Sequence, residues 1–138
     1  MKKLMFVLLL FASTVSYSQS KWKFIGLLNT AKDTSMYYAS TDEPIKDGLY
    51  SCIWVKTTIN RFVFGNKIYT KANNCSLFKV DCSKRRVMLL QYSIKTSGDY
   101  PLLDDTVPDN ELYWINVVPT GTSAGEFILS SAGCGVKK

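Results

Sequence analysis

The 138-residue chain contains no histidine, and this removes most familiar catalytic arrangements at once. Ser–His and Cys–His nucleophile pairs need an imidazole to take the proton. A structural zinc site would lack imidazole ligands, and no CxxC spacing is present to hold thiolate ones. The groups left with chemical potential are carboxylates, thiols and cations. The densest carboxylates are Asp104 and Asp105, followed by Asp109 and Glu111. Acid–base work on a glycosidic bond would need two of them facing one another from rigid elements. They belong instead to a segment from Asp99 to Glu111 that holds five acids, no base, Pro101 and Pro108, which reads as a solvated loop. Its spacing does not fit an EF-hand, and neither a P-loop nor GxGxxG occurs. The expectation is a non-enzymatic protein without catalytic residues, metal or cofactor.

The thiols are Cys52, Cys75, Cys82 and Cys134. Four cysteines allow three pairings. Cys75 and Cys82 are seven residues apart on one expected strand, so they face opposite ways and pair poorly. Cys82 with Cys134 would clip the last element to the central strand, and closing so long a loop stabilises by about 3–4 kcal/mol in the chain-entropy model. Cys52 and Cys75 then either pair with each other or stay free.

Charge is unevenly distributed. From Lys56 to Arg86 there are eight basic residues and one acid, Asp81. Lys84, Arg85 and Arg86 form the candidate binding surface, a basic patch suited to acidic partners. The N-terminus reads as an export signal over residues 1–18: Lys2 and Lys3, an apolar run from Leu4 to Ala12, then Ser16-Tyr17-Ser18. Its removal leaves 15 basic residues against 11 acids, a net +4. The domain is then residues 19–138. No later apolar stretch is long enough to span a bilayer as a helix, and an exported chain is a poor partner for nucleic acid. The destination is the periplasm, the cell surface or the medium.

The elements that must position these groups read as mostly strand. The centre is a hairpin in which Phe78, Val80 and Cys82 alternate with Lys79 and Asp81, the turn runs from Ser83 to Arg86, and an apolar strand follows. Earlier strands are expected over residues 21–26, 35–39 and 49–59, with Pro44 and Asp47-Gly48 as breaks. Gly65-Asn66 marks the tip of a small hairpin inside residues 61–74. Residues 112–118 form the last strand. Residues 124–132 are helical, with hydroxyls before them as N-caps, Glu126 near the positive end of the dipole, and Gly133 as the terminating residue. The apolar stripe of this helix is weak, so it needs an anchor, and Cys134 stands just past its end. The fold class is α+β: a single antiparallel sheet of about six strands with a short C-terminal helix packed on it.

The motif Phe78-x-Val80-Asp81-Cys82-x-x-Arg85-Arg86, with Trp114, Val118-Pro119-x-Gly121-Thr122 and the terminal Cys134, resembles the surface-adhesin protein E-like family. The likeness extends over residues 21–135 and includes a W-x-F start, a Tyr-Tyr strand, a Pro-Ile step and a long Trp-bearing strand. It implies a disulfide between Cys82 and Cys134; Cys52 and Cys75 are additional to the pattern. For function it implies an exported cell-envelope protein, as a surface adhesin binding host or matrix proteins. The alternative is a periplasmic or envelope structural or interaction protein. No binding residue of the family transfers to this chain, and the oligomeric state is left open.

Overall fold

The computed structural model describes residues 22–31, 33–96, 101–119 and 123–135. The expected export signal at residues 1–18 lies outside the described residues. Ten strands and one α-helix follow in order: β1 (Trp22–Asn29), β2 (Thr34–Ser40), β3 (Ile45–Asp47), β4 (Tyr50–Ile59), β5 (Phe62–Phe64), β6 (Lys67–Tyr69), β7 (Ala72–Asp81), β8 (Arg86–Lys95), β9 (Pro101–Thr106), β10 (Ile115–Asn116) and α1 (Ala124–Ser131). Eight strands make one antiparallel sheet in the order β1-β2-β4-β7-β8-β10; β3 lies beside β4, and β9 beside β8. The class is as expected, with more strands than six.

Each side of the sheet is built from a broken strand. β2 pairs with β4 at Ala39↔Val55, and the chain then resumes as β3 at Ile45↔Cys52. Pro44, which cannot donate to a ladder, falls in the gap. On the other side β9 pairs with the end of β8, and β10 with its beginning. The segment read as an acidic loop is therefore corrected: its middle is strand β9, followed by a 3-10 turn at Asp109–Glu111. Proline at the first residue of an edge strand costs no ladder bond, which is why Pro101 did not prevent it. The expected last strand is likewise reduced to Ile115–Asn116.

A bulge explains the two-sided apolar pattern of β8. Phe78 opposes Leu89 but Leu77 opposes Gln91, leaving Leu90 as the extra residue. The parity of the strand switches there, so Val87 and Ile94 are both buried. The Leu90 carbonyl is not orphaned, because Val107 N–H donates to it at 2.8 Å.

One face of the sheet carries the core. Ala39, Ile53, Val55, Val80 and Val87 pack against Ile128, Leu129 and Ala132 of α1, with Val117 and Cys134 completing the cluster. The helix starts where Ser123 Oγ accepts from Glu126 N–H, and it stops where Gly133 takes φ +83°. Cys134 N–H then donates to Leu129 O, a Schellman-type ending. The helix lies close. A Cβ on Gly26 would sit 2.3 Å from the Phe127 ring, and one on Gly125 would sit 2.7 Å from Val117. Gly125, unfavourable for helix propensity, is thus the residue that admits Val117. Phe127 also leans on Tyr37, with ring centroids 5.8 Å apart. Gly26→Ala is accordingly expected to destabilise by about 1–3 kcal/mol through overpacking, read as a lower urea midpoint at unchanged slope.

Candidate functional site

The turn after β7 joins more of the molecule than its length suggests. Asp81 is buried and accepts from Ser83 Oγ (2.7 Å), Lys84 N–H (3.2 Å) and Arg86 Nε (2.9 Å). Arg85, held at φ +48°, extends its guanidinium to Glu126 near the start of α1. Cys82 is bonded to Cys134 beyond the other end of the helix. Val117 N–H donates to Arg85 O at 2.9 Å. The expected basic surface is therefore mostly committed inside the molecule. Arg85 and Arg86 are both in ion pairs and largely covered, with side-chain exposures of 15% and 21%, and only Lys84 of the three is exposed. The hydrogen bond from Ser83, with those from Lys84 and Arg86, holds the Asp81 carboxyl below its ordinary range against the opposing effect of burial. Because the unfolded chain takes up that proton more readily, the Asp81 contribution is full above the ordinary aspartate pKa and is lost as pH falls through the depressed native value. Asp81→Asn should cost about 2 kcal/mol near neutrality. It should also make the urea midpoint fall less steeply on acidification than in the unsubstituted protein.

The face opposite the core has a different character. Among the described residues no α-helix covers it. Strand alternation and register place Trp22, Phe24, Tyr38, Lys56, Trp54, Cys52 and Tyr50 there, with Cys75, Leu77 and Lys79 from β7. Cations lie on the rings. Lys56 Nζ is 5.1 Å from the Trp22 centroid and 4.8 Å from that of Tyr38; Lys79 Nζ is 5.0 Å from Tyr50; the Arg86 guanidinium is 4.4 Å from Trp114. Tyr50 and Trp114 rings are 5.3 Å apart. Lys79 also pairs with Asp47 at 2.7 Å, and that bond, against burial, raises its pKa. A cleft of about 350 Å³ opens on this side where β2 breaks off before β3. Its walls include Trp22, Trp54, Pro44 and Ile45, with Asp42 and Glu43 among the lining residues. The chain matches no family model, no curated protein and no solved structure. The resemblance to the surface-adhesin protein E-like family rests on its motif residues alone.

Cys52 and Cys75 also line the cleft, both as free thiols. Of the two alternatives for this pair, the bonded one is corrected. Cys52 stands opposite Lys79 and Cys75 opposite Lys56, so the two are four rungs apart, about 13 Å along the strands and beyond disulfide reach. Burial raises both pKa values, most directly, with Asp47 adding to it at Cys52, so neither is an activated nucleophile. Asp104 and Asp105 are exposed neighbours on β9. Adjacent residues on a strand point to opposite faces, so these carboxylates do not converge. Among the described residues no group of three or more His, Cys, Asp or Glu side chains is placed to hold a metal, and no helix is long and apolar enough to cross a membrane.

The signal for the open face was present in the sequence as the alternation of Trp54 and Lys56 and of Trp22 and Phe24. What sequence could not supply was the side of the sheet taken by the helix.

Proposed function

We propose that the chain is an exported, non-enzymatic cell-envelope protein that binds a protein partner on its open sheet face, as a surface adhesin does. The observation that carries this reading is the asymmetry of the sheet. One face is closed by α1, while the other presents aromatic rings, cations and the cleft between Trp22, Trp54 and Ile45. Half-buried tryptophans beside a cleft are the usual anchors of protein interfaces. Asp42 and Glu43 at the same place favour a segment that brings an apolar side chain and a basic or hydroxyl-bearing neighbour. The Cys82–Cys134 bridge supports an oxidising compartment, consistent with residues 1–18 acting as an export signal.

The test is binding of the purified chain to a panel of immobilised extracellular-matrix proteins, with Trp22→Ala and Trp54→Ala alongside. Loss of a hot-spot tryptophan should weaken binding by about 30-fold or more, with the urea midpoint little changed. Binding that both variants retain in full would remove the open face as the site. Absence of binding to every matrix protein would leave the alternative role within the envelope.

A further inference from the structure

The ladder between β4 and β7 does not end at Ile59↔Ala72. After Asn60-Arg61 on one strand and Thr70-Lys71 on the other, the same register resumes as Phe62↔Tyr69, Val63↔Ile68 and Phe64↔Lys67. The two-residue tip is Gly65-Asn66, where Gly65 takes φ +58°. Residues 60–71 are thus the far end of one long hairpin. The ladders with the neighbouring strands stop short of them: β2 pairs with β4 no farther than Thr57, and β8 with β7 no farther than Asn73. Asn60 at the base is still tied to β2, its Nδ2 donating to Thr34 O at 3.0 Å. This arm extends about 15–20 Å past the sheet and forms a separate two-stranded sheet.

A two-stranded hairpin alone is marginal in water, and this one exposes apolar side chains on both of its faces. Val63 and Ile68, on one face, are 56% and 59% exposed; Phe64, on the other, is 41% exposed and stacks on Phe62. A flat protein interface would cover one face. Apolar exposure on both faces suits a medium that surrounds the tip. The charges point the same way. Arg61, Lys67 and Lys71 are exposed, and no acid occurs from Asn60 to Lys79. The acid drawn to the base of the arm is Asp33, which accepts from Asn60 Nδ2 at 2.7 Å. A second copy would bring three like charges against three.

We propose that the tip of this arm, residues 62–69, inserts into the interface of an anionic lipid bilayer. From the tip to the Phe62↔Tyr69 rung is about 10 Å, the depth at which interfacial apolar groups sit. Arg61 and Lys71 then lie at headgroup height, and Lys67 reaches back to it along its own stem. The site is distinct from the cleft.

The experiment is flotation of the purified chain with phosphatidylcholine vesicles, with and without about one-third phosphatidylglycerol. The unsubstituted protein should float with the anionic vesicles, less so at high salt, and should not float with the neutral ones. Each cation contributes about fivefold, so Arg61→Gln with Lys67→Gln and Lys71→Gln should weaken binding about 100-fold. Val63→Ser with Phe64→Ser should abolish stable flotation while leaving the urea midpoint unchanged, because the arm lies outside the core. Three results would overturn the proposal: no preference for anionic vesicles, full binding by the Val63→Ser, Phe64→Ser variant, or a dimer in sedimentation that this variant dissolves.

Discussion

Reducing the Cys82–Cys134 bridge is expected to lower the stability of the fold by about 4 kcal/mol. The two cysteines are 52 residues apart, and a loop of that length gives about this value in the chain-entropy account of cross-linking. In the native state the bridge also ties the C-terminal end of the helix covalently to the central hairpin. The helix is eight residues long, too short to persist on propensity. Its Cys134 end is fixed by the sulfur, by Gly133 and by the burial of Leu129 and Ala132. Thermal unfolding with and without reductant should show the difference as a fall in Tm of roughly 10–20 °C. Thiol titration of the denatured protein gives an independent check. Two thiols, Cys52 and Cys75, should react before reduction and four after it.

Arg85→Ala is the second large effect. The guanidinium and the Glu126 carboxylate are both largely covered, with side-chain exposures of 15% and 13%. Removing one partner leaves the other charged and poorly solvated, a change that costs about 3–5 kcal/mol in buried pairs. Removing both should cost less than the two single changes together, so a double-mutant cycle with Glu126→Ala in urea should show clear coupling. Arg85→Glu should be worse than Arg85→Ala, because it sets two carboxylates together. Charge reversal in the Lys84-Arg85-Arg86 turn therefore tests folding before it tests binding. Lys84→Glu, at the exposed member of the three, should leave stability nearly unchanged.

These two staples begin in one turn and reach opposite ends of the helix, and they were not equally legible. The cysteines are rare, and the helix-terminating Gly133 beside Cys134 marked where one of them had to act. Arg85 and Glu126 are 41 residues apart, and neither residue type is rare. Only the packing of α1 over the sheet brings them together. The same distinction runs through the fold. Long strands with period-two alternation, such as β4 and β7, and the turn at Gly65-Asn66 were readable because local chemistry dictates them. The strand β9 was not, because acidic residues and prolines signal loop locally, while its pairing depends on an edge that β8 offers from elsewhere. The parity switch at Leu90 was equally hidden: an apolar run reads the same with or without a bulge. The open face could be read residue by residue but not assigned a side, since alternation gives two faces and leaves the choice between them to the helix.

Antibody labelling of intact cells, with a periplasmic protein as control, tests the proposed adhesin role most directly. Labelling without permeabilisation is the predicted result, and it would place the open face where a host or matrix protein can reach it. Labelling that appears only after permeabilisation would contradict the adhesin reading.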